Sequence, residues 1–195
     1  MIIKKHKTIF IHIPKTAGTS VKMFFGQRHL TDQAHERIAT MKKDYPEIYD
    51  SYRKFTIARN PYDRMVSWYF FLKLRGNTSA WVRDVNNSTL NFSDWLKNHA
   101  TIFPQVEEPY GRGTFSPQFS WIYDFELKTI DPAVTIIKYE NLNDELDEFF
   151  GEKINLPMMN KSDHDNYSTY YNRESLDIVN TLYEKDFEIF NYEKL

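Results

Sequence analysis

A short run near the start, Thr8-Ile-Phe-Ile-His-Ile13, limits the choice of fold more than any other part of this chain. With only His12 interrupting its apolar character, it suits a strand buried on both faces, as in a parallel sheet. Pro14 ends it, the small-residue segment Lys15-Thr-Ala-Gly-Thr-Ser20 follows, and Val21, Phe24 and Phe25 then stand at helical spacing. The pattern predicts strand, tight loop, helix. It recurs at Lys54-Phe-Thr-Ile-Ala-Arg59, which predicts a second strand stopped by Asn60-Pro61. Pro61 fits a first helical turn, where its missing N–H does no harm. Tyr62, Met65, Val66, Tyr69 and Leu72 mark the apolar stripe of a helix ending near Gly76.

Farther along, Ser93 is the expected cap of a short helix, Asp94 to His99. Val134-Thr-Ile-Ile-Lys138 predicts a third strand, followed by an acidic helix from Asn143 to Phe150. In the tail, Asn172 is the expected cap of a long amphipathic helix through Leu176, Val179, Leu182 and Tyr183, with Phe187 and Phe190 at its apolar end. Strands alternating with helices predict an α/β fold, a central parallel β-sheet flanked by helices. No repeat, long linker or low-complexity tract divides the chain, so residues 1–195 read as a single domain.

Composition narrows the function. Hydrophobic residues at 41% and charged residues at 27% permit a real core and rule out wholesale disorder. Twenty-five basic against 27 acidic side chains leave a net charge of −2. Neither nucleic acid nor an anionic membrane is therefore an expected partner, and any bound anion needs a local site. The absence of cysteine excludes disulfides, thiolate catalysis and cysteine-ligated metal. No stretch approaches 18 apolar residues, so no transmembrane helix is expected. The first ten residues place charges inside what would need to be an apolar signal segment. A soluble, cytoplasmic protein is the expectation.

Two segments carry chemistry. In Pro14-Lys-Thr-Ala-Gly-Thr-Ser20, Ala17 and Gly18 keep side chains out of the way of an anion at the helix start. Lys15 adds a point charge, and Thr16, Thr19 and Ser20 add hydroxyls. An ordinary capped helix start is the plainer alternative. This is not a Walker A loop, which ends in Gly-Lys-Ser/Thr. In Arg59-Asn-Pro-Tyr-Asp-Arg-Met-Val-Ser67, Arg59 closes a strand at the carboxyl edge of the sheet, and Ser67 shares a helix face with Asp63 and Arg64. A guanidinium and a hydroxyl so placed suit a phosphate. The plainer alternative is a surface ion-pair cluster of Arg59, Asp63 and Arg64.

Taken together, these segments closely resemble the Golgi-type carbohydrate sulfotransferases and their bacterial relatives. Lys138-Tyr-Glu-Asn-Leu142, Asn160-Lys-Ser162 and Tyr183-Glu-Lys-Asp-Phe187 with Phe190-Asn-Tyr192 are similar to later landmarks of that family. The resemblance runs from about Thr8 to Tyr192 and is weakest between Gly76 and Ser116. It implies a P-loop-NTPase-like sulfotransferase fold and the donor 3′-phosphoadenosine 5′-phosphosulfate (PAPS), with a carbohydrate or glycoconjugate as acceptor. Lys15, Thr16, Ala17, Gly18, Thr19 and Ser20 would cradle the 5′-phosphosulfate. Arg59 and Ser67 would hold the 3′-phosphate.

Sulfuryl transfer should share the loose, in-line transition state of phosphoryl transfer, with Lys15 the natural donor to the bridging oxygen. By the position of the family's proposed catalytic histidine, His35 is the candidate base; His29 and Glu36 are the alternatives. His12 reads as a packed residue of the strand. Gln118, in Ser116-Pro-Gln-Phe119, would touch substrate or brace a loop. Trp68, Trp81, Trp95 and Trp121 read mainly as core, and the acidic run Glu140 to Glu152 as a solvated helix face. No metal is expected. The family's membrane anchor, stem and disulfides are not found, which favours the bacterial type. A small-molecule kinase and a non-catalytic nucleotide-binding protein are the competing functions.

Overall fold

The computed structural model of the protein describes residues 1–26, 35–74, 90–99, 113, 115–157, 159 and 165–195. The chain forms two compact units, each from two stretches: Met1–Arg59 with Pro104–Asn160, and Asn60–Phe103 with Lys161–Leu195.

In the first unit the strands are β1 (Ile2–Ile3), β2 (Thr8–Ile11), β3 (Arg53–Ala58), β4 (Tyr123–Asp124), β5 (Thr129–Ile130) and β6 (Val134–Lys138). β4 and β5 pair as a small antiparallel ribbon, and the others form one sheet in the order β1-β2-β3-β6. The expected parallel sheet is present: β2, β3 and β6 all run the same way, with Phe10 opposite Phe55 and Ala58 opposite Lys138. β1 adds an antiparallel edge and makes the sheet mixed. Only a single 3-10 turn, Lys4–His6, separates β1 from β2, too short for a parallel crossover.

Both faces of the central strands are covered, which explains their continuous apolar character. On one face Phe10, Phe55, Ile57 and Ile137 pack with Val21 of α1 (Gly18–Phe24), Leu146 and Ile154. The Phe10 and Phe55 rings stack with centroids 4.8 Å apart. Burial of each such side chain stabilises by about 1.5–3 kcal/mol. On the other face Ile9 and Ile11 are buried, and the Thr56 hydroxyl donates to the Ile11 carbonyl at 2.8 Å. β2 stops two residues short of Ile13, because Pro14 has no N–H to offer and restricts the residue before it. Two short helices, α2 (Ile38–Asp44) and α3 (Pro46–Ser51), lead into β3.

The second unit contains α4 (Pro61–Leu74) and α5 (Phe92–His99). In the first unit α6 (Leu142–Phe150) follows β6; α7 (Arg173–Leu182) and α8 (Glu184–Ile189) complete the second. α4 begins with Pro61 in its first turn, as expected, and the Asn60 side chain adds a cap by accepting the Tyr62 N–H at 2.9 Å. Asn91, not Ser93, caps α5, accepting the Asp94 N–H at 3.0 Å, and the helix starts earlier than expected. Asn is among the strongest capping residues, while the Ser93 hydroxyl is engaged with Tyr170 and Ser175. Asn172 caps α7 in a reciprocal arrangement with Ser175. The long tail helix is broken in two at Tyr183, whose backbone leaves helical geometry at φ −116° and ψ 22°.

Candidate active site

The parallel strands of the first unit end at one edge, where β2 delivers His12 and the loop beyond it, β3 delivers Arg59, and β6 delivers Tyr139. Ligands of open α/β sheets bind at this edge. The loop is under strain: Lys15 (φ 71°) and Ala17 (φ 65°) both adopt the left-handed conformation. A non-glycine residue there is disfavoured by roughly 1–2 kcal/mol, so contacts must hold it. Thr16, fully buried, supplies one by donating its hydroxyl to the Ile13 carbonyl at 2.8 Å. Arg59 supplies another, its Nη1 donating to the Lys15 carbonyl at 3.1 Å.

α1 then begins without a side-chain cap, since Ala17 holds the capping position. The plainer reading of this segment, a helix start capped by its own hydroxyls, is therefore not what the chain builds. Thr19 is exposed, and the Ser20 hydroxyl accepts the Met159 N–H at 3.3 Å.

Gly18 has a reason that the sequence did not disclose. A Cβ there would lie 1.7 Å from Nε2 and 1.9 Å from Cδ2 of His12. The His12 ring occupies the space a side chain would need, stacked at 5.5 Å on Phe10 and 4.2 Å from the His35 ring. His12 is thus the packed residue expected, and it ties the loop to the candidate base.

His35 is half-buried, with Nδ1 3.4 Å from the His12 carbonyl and its ring edge-on to Trp121 at 6.3 Å. Burial lowers its pKa below 6.5; the His12 carbonyl works in the opposite sense, and the charge of Lys22 lowers it further. A neutral imidazole whose Nδ1 proton points at that carbonyl keeps the Nε2 lone pair for a proton. Glu36 is half-buried beside it, and His29 lies outside the described residues.

Two neighbours escaped the sequence reading. Arg37 is buried and anchors this segment, donating to the Ser120 carbonyl at 3.1 Å and to the Ser116 hydroxyl at 3.0 Å. Lys22, one helical turn beyond Gly18, is buried with no hydrogen bond to its ammonium group, and burial lowers its pKa. Only its i+4 spacing from Gly18 could have signalled it.

Arg59 is 7% exposed, and its guanidinium lies over the Tyr139 ring at 4.2 Å. The Gln118 amide holds its backbone at both ends: Oε1 accepts the Arg59 N–H at 3.0 Å, and Nε2 donates to the Arg59 carbonyl at 2.7 Å. Gln118 thus braces Arg59. Ser67 belongs to the second unit, on α4, where it and Arg64 are both buried. Arg59 and Arg64 are 7% and 1% exposed, so neither guanidinium lies on the surface, as the ion-pair alternative required. The three described tryptophans of the sequence reading, Trp68, Trp95 and Trp121, are buried; Trp81 and Asn160 to Ser162 lie outside the described residues.

His12 and His35 thus lie against the loop Lys15–Gly18, whose Lys15 carbonyl is held by the Arg59 guanidinium. Among the described residues no cluster of three or more His, Asp or Glu side chains could hold a metal. No helix among them is long and apolar enough to cross a membrane. A strained loop at the carboxyl edge of a parallel sheet, beside the Arg59 guanidinium, is an arrangement suited to an anionic ligand. A family model described as "Sulfotransferase family" matches residues 1–193, and the chain belongs to the sulfotransferase family. Its chemistry is accordingly sulfuryl transfer. No curated protein and no solved structure gives a significant match.

Proposed function

We propose that the protein moves the sulfuryl group of PAPS to a hydroxyl of a carbohydrate or glycoconjugate, as a bacterial-type member of the carbohydrate branch of its family. The observation that carries this reading is the direct bond between the two donor segments, Arg59 Nη1 to the Lys15 carbonyl at 3.1 Å, with His35 held against the same loop through His12. The residues fit the donor: cations flank a loop in which two consecutive side-chain positions, Ala17 and Gly18, present almost nothing but backbone.

Residues Lys15 to Ser20 receive the 5′-phosphosulfate, and Arg59 receives the 3′-phosphate, to which the resemblance also assigns Ser67. His35 Nε2 takes the proton of the acceptor hydroxyl as its oxygen bonds to sulfur. Lys15 neutralises the charge left on the phosphate oxygen as the old sulfur–oxygen bond breaks, and 3′-phosphoadenosine 5′-phosphate (PAP) is released. The cysteine-free sequence supports a cytoplasmic setting within this proposal.

Calorimetric titration with PAP, ATP and 5′-AMP tests the donor. PAP should bind far more tightly than the other two; ATP binding as tight as PAP would instead favour a kinase. Sulfate transfer from labelled PAPS to a panel of saccharides and simple phenols tests the acceptor, and transfer to phenols alone would remove the carbohydrate assignment.

A further inference from the structure

The end of β3 presents a problem that the chain solves with one side chain. The ladder stops at Ala58, so the N–H and carbonyl of Arg59 lose their strand partners inside a buried region. An unsatisfied buried backbone group costs about as much as a lost hydrogen bond. Gln118, itself fully buried and 59 residues away in sequence, presents its amide to both groups at once, at 3.0 and 2.7 Å. A primary amide used this way stands in for one residue of a neighbouring strand. It fixes the Arg59 backbone and thereby the direction in which the side chain leaves. The Tyr139 ring below the guanidinium and the Lys15 carbonyl at its tip complete the aim.

Bidentate recognition by arginine depends on direction as well as charge. We infer that Gln118 is a positioning residue that sets the selectivity for a 3′-phosphorylated nucleotide, acting through the Arg59 backbone and touching no ligand itself. This rests on the assignment of the 3′-phosphate to Arg59 made above. The role differs from a general structural one, because Gln118 then matters to PAP and not to 5′-AMP, which lacks the group that Arg59 reads.

The experiment compares PAP and 5′-AMP affinities of the wild type, Gln118→Met, Arg59→Ala and the double variant, with thermal melts alongside. Gln118→Met should reduce the PAP-to-AMP affinity ratio at least tenfold while leaving AMP affinity unchanged. In the Arg59→Ala background it should cause no further loss of PAP affinity. Ser120→Ala, which removes the hydroxyl bond to the Pro117 carbonyl in the same turn at 2.7 Å, should leave the ratio intact. An unchanged ratio in Gln118→Met, additive losses in the double variant, or an equal loss in Ser120→Ala would each overturn the inference. Should Gln118→Met fail to fold, amide hydrogen exchange of the wild type decides: the Arg59 N–H should be strongly protected without ligand, and free exchange there refutes the clamp. A wild type that does not prefer PAP to AMP would remove the proposed function itself; a preference that survives in Gln118→Met removes only the inference.

Discussion

The loop Pro14–Gly18 and the start of α4 at Asn60–Tyr62 both follow a strand, both contain proline, and both carry family motifs, yet they reach their shapes by opposite routes. The start of α4 is built locally. Asn60 caps it, Pro61 accepts the first turn, and the residues that follow keep helical spacing. The loop has one local support, the Thr16 hydroxyl on the Ile13 carbonyl; two non-glycine residues sit in left-handed conformations, and no side chain caps the helix after it. It is held by Arg59 from 44 residues away, and by His12 packed against Gly18. A strained loop held by distant partners keeps its backbone aimed at a ligand; a locally satisfied helix start needs no partner and offers fewer free donors.

Substitutions can break this contrast in order of size. Lys15→Ala should lower transfer by orders of magnitude, the loss expected for a transition-state charge partner worth about 3–4 kcal/mol, while PAP still binds; near-normal turnover in a labelled-sulfate assay would remove Lys15 from the chemistry. Gly18→Ala should be the next most harmful. A Cβ placed 1.7 Å from the His12 ring must displace it, and overpacking of this kind destabilises by about 1–3 kcal/mol. Urea unfolding should show that loss together with impaired transfer, because His35 rests on the same ring. Asn60→Ala, by contrast, should remove about 1 kcal/mol through the lost cap and lower the melting temperature by about 2–4 °C, with turnover barely changed. Equal effects on turnover from Gly18→Ala and Asn60→Ala would erase the distinction between the two segments.

The smallest effect concerns pH. The folded-state pKa of His35 lies below 6.5, so between that value and 6.5 the unfolded chain binds more protons than the folded one. Stability therefore rises with pH through that window and is lost as pH falls through it. Activity that depends on neutral His35 should show its acid limb below 6.5. The charges bearing on this imidazole are Lys22 and the Met1 amino group, with the His12 carbonyl opposing them. Lys22→Met removes one of these charges and a buried amine without a hydrogen bond, so the acid limb should move up toward 6.5 while the protein becomes more stable. An acid limb that stays in place, or moves down, would show that Lys22 does not bear on His35.

Residues whose structure depends on their neighbours in the chain were legible beforehand. The strand Val134–Lys138 lies where the apolar run predicted it, Pro61 opens its helix, and the cap at Asn172 follows from residue type. The local pattern predicts Ser93 as the cap of α5, two residues from the actual cap at Asn91, because both residues are competent and Ser93 is engaged with Tyr170 and Ser175 instead. The apolar spacing runs through Tyr183 unbroken and so predicts one continuous tail helix; the break is in the backbone and leaves no mark on the periodicity.

By itself, then, the amino-acid sequence determined the parallel strands, the helix that opens at Pro61, and the pair of motifs that carry the family resemblance, since each depends on spacing within a few residues. Tertiary structure alone decided why residue 18 must be glycine, why Gln118 faces Arg59, and why Arg37 is buried beside the candidate base. Those contacts join residues far apart in the chain, 59 apart for Gln118 with Arg59 and 79 for Arg37 with Ser116. No local pattern encodes such a distance. It is set when the strands come into register and their ends are brought to one edge.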